Sequence, residues 1–397
     1  MLQTNHIFKP KSFFKYDVQL MIITVLLCTA GLAYLASSLN LSAENTYWSE
    51  LQKQFVVGIV GGSLVAWMLA RTDYHIWTNN RDKIIKISFA MLGFVAFFSF
   101  LTWFRATADD KQALINWFNW MPIRPYIANG AVRWIEFPFG LPNLQPSEFA
   151  KLTTLIYFAG YFGKNYRNGF TWTNIKKPLW AFAISAILIL MQPDLGTVAI
   201  IFAILMSAML VAKVPFAILK KILAVGLIIG LFSVVFTPYR LLRLLSVIKV
   251  EEKSAQVEGI QKALYRGGLW GRGYGSSMKI DAQIYEASTD SIIAVIAEET
   301  GFVGTFAFLI LYAWLFYRGM QIANQAADLE GKMLATGIVV WIGAQVFLNV
   351  CGMTGMIPMK GLPLPFVSKG GTAIVINLIS IGILLNISSQ KGNEFRK

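Results

Sequence analysis

The sequence predicts an all-α, polytopic membrane protein with about ten transmembrane helices and both termini cytoplasmic. Three observations carry that expectation. Only 14% of the 397 residues are charged and 56% are hydrophobic, where a soluble chain carries about a quarter charged. Apolar stretches recur at close to the ~20 residues that a helix needs to cross the hydrocarbon core. The alternating apolar and polar strands of an outer-membrane barrel are absent. A mean hydropathy of +0.55 agrees, and residues 1–397 read as a single membrane domain.

The first span, about 18–38, follows a polar stretch with Lys9, Lys11 and Lys15, and no small-residue cleavage site follows it. It reads as a retained anchor rather than a signal peptide. The apolar runs then continue at about 54–70, 84–104, 147–163 and 177–191. Gln192-Pro193-Asp194 breaks the pattern before 195–212, because proline cannot continue the helical ladder. The remaining runs lie at about 217–236, 291–317, 333–353 and 371–388.

Lysine and arginine set the orientation. Arg71, Arg81 and Lys83 lie between the second and third spans, and Lys164, Arg167, Lys176 and Lys177 follow the fourth. Lys213, Lys220 and Lys221 follow the sixth, and Lys391, Arg396 and Lys397 follow the last. With ten spans all of these fall on one side, which the positive-inside bias makes cytoplasmic. The net charge of +14 is thereby explained without nucleic acid, and anionic lipid headgroups are the natural partners of these residues. The outer side receives loops at about 105–146 and 237–290 and the Pro-rich 354–370. Cys28 and Cys351 fall in or at the end of apolar runs and read as small fillers.

Polar groups converge on that outer side. Asp290 closes the second long loop in Ser288-Thr289-Asp290-Ser291, immediately before an apolar run. Glu148 and Lys151, at i and i+3, share a face of the fourth span, with Ser147 available as its cap. Arg133, Asp194 and Ser368 join them, Ser368 in Ser368-Lys369-Gly370-Gly371-Thr372. Each also has a structural reading. Asp290 suits a helix N-cap, Glu148 and Lys151 an ion pair, and Asp194 a turn. The run Gly267-Gly268-Leu269-Trp270-Gly271-Arg272-Gly273-Tyr274-Gly275 suits a flexible loop, since no βαβ unit surrounds it. Glu298 and Glu299 lie roughly 12 Å deeper than Asp290 at ~1.5 Å per residue. Acids at such depth are functional candidates, and at least one should face the bundle interior.

His6 and His75 are the only histidines, and both map to the cytoplasmic side. That inventory excludes a Ser-His-Asp hydrolase or a His-ligated zinc site on the outer face. A carboxylate base with cationic helpers remains. It suits attack of a sugar hydroxyl on an anomeric carbon bearing a phosphate leaving group.

Several motifs resemble the SEDS family (shape, elongation, division and sporulation), which includes FtsW, RodA and SpoVE. They are Gly130-Ala131-Val132-Arg133-Trp134, Gln145 through Lys151, Gln192 through Thr197 and Pro238-Tyr239-Arg240. The glycine run, Glu286 through Gly301 and Gly361 through Ser368 complete the set, over essentially the whole chain. The resemblance implies a peptidoglycan glycosyltransferase that polymerises lipid II on the outer face of the bacterial cytoplasmic membrane, in cell division or elongation. It implies Asp290 as the catalytic residue, with Glu148 and Lys151 as a functionally important pair. Arg133, Asp194, Arg240 and Ser368 fall in its motifs as substrate-binding or functional positions. It further implies an inverting reaction in which the acceptor GlcNAc 4-hydroxyl displaces undecaprenyl pyrophosphate. The implied partners are lipid II, the growing glycan and a class B penicillin-binding protein. No resident cofactor or metal is called for; whether a divalent cation assists pyrophosphate departure is left open.

The chain departs from the family pattern in places. Tyr285-Glu286-Ala287-Ser288-Thr289-Asp290-Ser291 stands where Pro-Glu-Ala-His-Thr-Asp-Phe is usual. Lys369 adds a charge where tyrosine is usual, and Gly259-Ile260 stands where Gln-Ser is common. The run Ala294 through Glu299 and Arg318-Gly319 look more like the division-type, FtsW branch. Two other classes stay in view. One is a flippase for lipid-linked precursors, suggested by Glu298 and Glu299. The other is a non-catalytic divisome scaffold.

Overall fold

The computed structural model describes residues 16–39, 44–103, 110, 113, 115–118, 120–128, 131–138, 143–166, 169–235, 255–277, 287–357 and 361–390. The architecture is helical. Helix α1 (Val18–Ser38) leads to α2 (Glu44–Gln52), a π-helical stretch (Lys53–Gly61) and α3 (Gly62–Arg71). The short α4 (His75–Asn79) precedes α5 (Arg81–Trp103). After a hairpin come α6 (Pro146–Asn165), α7 (Trp172–Leu190), α8 (Leu195–Val211) and α9 (Phe216–Val235). Then follow α10 (Ala255–Gly267), α11 (Ile292–Asn324), α12 (Leu329–Met353) and α13 (Gly371–Ser389).

Eight helices among the described residues are long and apolar enough to cross a membrane, counting Tyr47–Arg71 as one. The fourth and sixth expected spans are also helices, α6 and the shorter apolar α8. Helix α6 is buried along almost its whole length and packs against α5, α8 and α12. Protein, not lipid, surrounds it, and so it carries Glu148, Lys151, Thr153 and Thr154 at less hydropathy than its neighbours. Cys28 and Cys351 are buried and unbridged.

The all-α expectation needs one addition. The first long loop contains the antiparallel hairpin β1 (Arg124–Ala128) and β2 (Ala131–Glu136), closed by a bidentate Arg124–Glu136 pair at 2.9 Å. Its Val132 and Ile135 pack with Val95 and Phe98 of α5, so the hairpin is docked on that helix.

The glycine run is not a flexible loop. Helix α11 is broken at Gly301, whose φ of 69° lies in the left-handed region. Hydrogen-bonding groups released there are taken up by the run. Phe302 and Val303 donate to the carbonyls of Gly268 and Leu269 at 2.8 and 3.1 Å. Glu298 and Glu299 accept through their carbonyls from the amides of Arg272 and Gly273 at 3.1 and 3.0 Å. A Cβ on Gly301 would lie 2.4 Å from the Gly271 nitrogen. Only glycines permit so close an approach, and within a bilayer these backbone groups have no water to bond instead.

At the opposite end of α11, Arg318 donates to both carboxylate oxygens of Asp17 at 3.0 and 2.9 Å, and Asp17 caps α1. Nearby, His75 bridges Asp73 at 2.7 Å and Asp328 at 2.6 Å, and Asp328 caps α12. The Asp328 bond and then the Asp73 bond raise His75 to about 10. The His75 bond holds Asp73 down to about 2. Because the folded value lies above the ordinary 6.5, the imidazolium stabilises the fold fully below about pH 6.5 and not above about pH 10. His75→Gln should therefore lower the thermal midpoint in detergent at pH 6, with the deficit shrinking towards pH 10. A deficit that is constant with pH would show that the charge is not responsible.

Candidate functional site

The turn 287–291 ahead of α11 meets the loop 361–370 that leads into α13. Three successive carbonyls of the turn are held. The Ser288 carbonyl accepts from the Lys369 amide at 2.8 Å, and the Thr289 carbonyl accepts from the Ser368 hydroxyl. The Asp290 carbonyl accepts from Asn349 Nδ2 at 2.9 Å. The Asp290 carboxylate lies against Gly361, where a Cβ would come within 2.7 Å of Oδ2. Asp290 is not the helix N-cap. Ser291 occupies that position, without a side-chain capping bond, and Asp290 stands one residue outside on a partly exposed turn.

Helix α12 supports this loop from beneath. Asn349 Nδ2 also donates to the Leu362 carbonyl at 2.8 Å, and Gln345 Nε2 donates to the Pro363 carbonyl at 2.7 Å. From the other side, Gln54 in the π-helical stretch donates to the Ser368 carbonyl at 3.2 Å and accepts from the Gly370 amide at 3.3 Å. Short π segments inside helices recur at functional sites. Lys369 Nζ pairs with Glu50 of α2 at 3.0 Å.

The Glu148–Lys151 ion pair is present at 2.8 Å and fully buried. Lys151 donates further to Gln345 Oε1 at 2.8 Å and lies 4.9 Å from the centre of the Trp341 ring. Ser147 does not cap α6, whose N-cap is Gln145 with Pro146 in the first turn; it faces Asp194 at 3.5 Å. Asp194 caps α8, accepting from the Thr197 amide at 3.0 Å and the Thr197 hydroxyl at 2.7 Å. Arg133 reaches from β2 to the carbonyls of Gln192 and Pro193, at 2.9 and 3.0 Å, and so closes the break between α7 and α8. Arg240 lies outside the described residues.

Asp290, Ser368, Lys151 and Glu148 thus belong to one connected polar network, while Arg133 and Asp194 stabilise an adjoining chain break. Sequence reading placed Gly361 only as the first residue of a motif and missed Gln54, Gln345 and Asn349. Gln345 and Asn349 carry a visible signal, since polar residues at i and i+4 in an apolar span must find partners inside the bundle. Deeper in α11 both acids are buried. Glu299 accepts from the Ser37 hydroxyl, and the Glu298 oxygens are buried without a hydrogen-bond partner among the described residues. Among the described residues no three of His, Cys, Asp and Glu group together as a metal site.

Residues 114–393 match the family model described as cell cycle protein, FtsW/RodA/SpoVE. The chain belongs to this family. Among relatives, it is 32% identical over 389 residues to a protein of Halothiobacillus neapolitanus named "Probable peptidoglycan glycosyltransferase FtsW", covering 95% of this chain and 87% of that one. It is 30% identical over 383 residues to stage V sporulation protein E of Bacillus subtilis, covering 94% and 96%. The fold matches the crystal structure of the rod shape determining protein RodA of Thermus thermophilus with a TM-score of 0.67, at 22% identity over 96% of this chain and 99% of that one. A chain from a peptidoglycan synthase complex matches with a TM-score of 0.72, at the same identity and coverage. FtsW proteins lead the relatives, as the division-type reading of α11 expects.

The buried pair yields a stability test. Lys151→Met leaves Glu148 buried without its counter-charge, at a cost of about 3–5 kcal/mol. The thermal midpoint in detergent should fall, and adding Glu148→Leu should recover most of the loss. A double variant no more stable than Lys151→Met would show that packing rather than charge sets the cost.

Proposed function

We propose that this family member is a peptidoglycan glycosyltransferase that polymerises lipid II on the outer face of the cytoplasmic membrane. Asp290 is the general base. Its carboxylate accepts the proton of the acceptor GlcNAc 4-hydroxyl as that oxygen attacks the anomeric carbon of the donor MurNAc. The carbon–oxygen bond to undecaprenyl pyrophosphate breaks on the opposite side, and the configuration inverts. Basic groups of the outer face, Arg240 among them, offset the charge that develops on the departing pyrophosphate.

One observation carries the reading. Asp290 is a partly exposed carboxylate on a turn whose backbone is held at three consecutive carbonyls. A base fixed in this way is preorganised for proton transfer, because little reorientation is left to perform when substrate arrives. Arg133, Glu148, Lys151, Asp194 and Ser368 act by holding the surrounding elements. The names of the FtsW relatives support the activity. The fold shared with a chain of a peptidoglycan synthase complex supports a class B penicillin-binding protein as partner.

Asp290→Asn should reduce glycan polymer formed from purified lipid II, with partner present, by about 10²–10⁴-fold, the usual contribution of a general base. Membrane insertion should be unchanged. Polymer made at the wild-type rate would overturn the assignment. The buried Glu298, without a hydrogen-bond partner among the described residues, gives the flippase reading its one specific support. Headgroup translocation in liposomes that needs Glu298 but not Asp290 would favour that reading instead.

A further inference from the structure

We propose that Asn349 is the positioning residue for Asp290, and that the buried Lys151 acts through Gln345 on the loop that faces Asp290. The proposal rests on Asp290 being the base. Asn349 is 4% exposed, and its single amide nitrogen spans two chain segments, the Asp290 carbonyl at 2.9 Å and the Leu362 carbonyl at 2.8 Å. Both of its N–H groups are therefore in use. Both partners are carbonyls, which can only accept, so the amide has one permitted orientation. Leu362 follows Gly361, against which the Asp290 carboxylate rests. One nitrogen thus sets both the backbone behind the carboxylate and the wall in front of it.

Gln345 lies one turn earlier on the same face of α12. Its oxygen accepts from Lys151 Nζ at 2.8 Å and from Trp341 Nε1 at 3.0 Å. Lysine and tryptophan only donate, so they force the amide nitrogen towards the Pro363 carbonyl at 2.7 Å. Lys151 is 0% exposed and reaches no substrate at the surface. Its charge holds Gln345 in register, and Gln345 and Asn349 hold consecutive carbonyls of the loop that faces Asp290. A displacement of about 1 Å at a reacting group costs about 100-fold in rate, so the loss of either amide should register in turnover.

The test uses the full chain in detergent with its partner and fluorescent lipid II, comparing Asn349→Leu, Gly361→Ala and Asp290→Asn. Asn349→Leu removes both hydrogen bonds at similar volume. Gly361→Ala removes none, but drives a methyl into the space of the carboxylate, so it tests the same displacement if Asn349→Leu fails to fold. Both should lower kcat by roughly 10- to 100-fold while KM stays within about twofold, the signature of an interaction used in the transition state alone. Thermal midpoints should not follow the loss of kcat. Wild-type turnover in Asn349→Leu, or a rise in KM with unchanged kcat, would overturn the positioning role while Asp290→Asn remained inactive. Activity retained in Asp290→Asn would instead remove the base assignment on which the proposal stands.

Discussion

A polar side chain inside a bilayer must find its partner within the protein, because no water is there to replace it. In this chain that constraint is concentrated on Gln345, which joins the Lys151 ammonium of α6 to the Pro363 carbonyl of the loop before α13. The contact ties the central buried helix to the segment that faces Asp290. The charge of Lys151 is compensated on one side by Glu148 and on the other by a neutral oxygen dipole. Its burial is tolerable only because both partners are in place. The arrangement of α6, α12 and the loop around it is therefore strongly specified.

The same constraint shapes α11. A helix broken at Gly301 would leave amides and carbonyls without partners in an apolar environment. The glycine run supplies the missing ones through its own backbone. Tyr274, at the end of that run, donates to the Ala33 carbonyl of α1 at 2.6 Å, so this part of the second long loop is anchored to the first span as well. The turn carrying Asp290 is held by the loop of residues 361–370 and by Asn349 of α12, and such fixing favours the precision that proton transfer needs.

The two ends of the bundle solve different problems. At the end bearing the short basic loops, Asp17–Arg318 and Asp73–His75–Asp328 fasten helix termini to each other, with capping and charge pairing in the same groups. At the other end Arg133, Gln345 and Asn349 bond main-chain carbonyls, and the Asp290 carboxylate abuts a glycine. Those backbone contacts fix the shape of the rim around that carboxylate.

Much of this was legible in the sequence. Hydropathy and lysine–arginine bias identify a helical membrane chain, and the Gln192-Pro193-Asp194 break falls where α7 ends and α8 begins. The Glu148–Lys151 spacing anticipates the ion pair that forms. Asp290 stands out as a carboxylate at the start of a span, and the motifs around it resemble those of the family to which the chain belongs. Periodicity, spacing and charge bias are local properties, and these conclusions depend on nothing else. Tertiary structure decided the rest. Lys151 meets an amide 194 residues away, Asp194 and Arg133 turn out to cap and close a chain break, and the glycine run becomes a docked strut. The hairpin at 124–136 gains its stability from α5 rather than from its own short strands. A buried amide in an apolar span announces that it needs a partner, but only the packing of distant helices determines which one it finds.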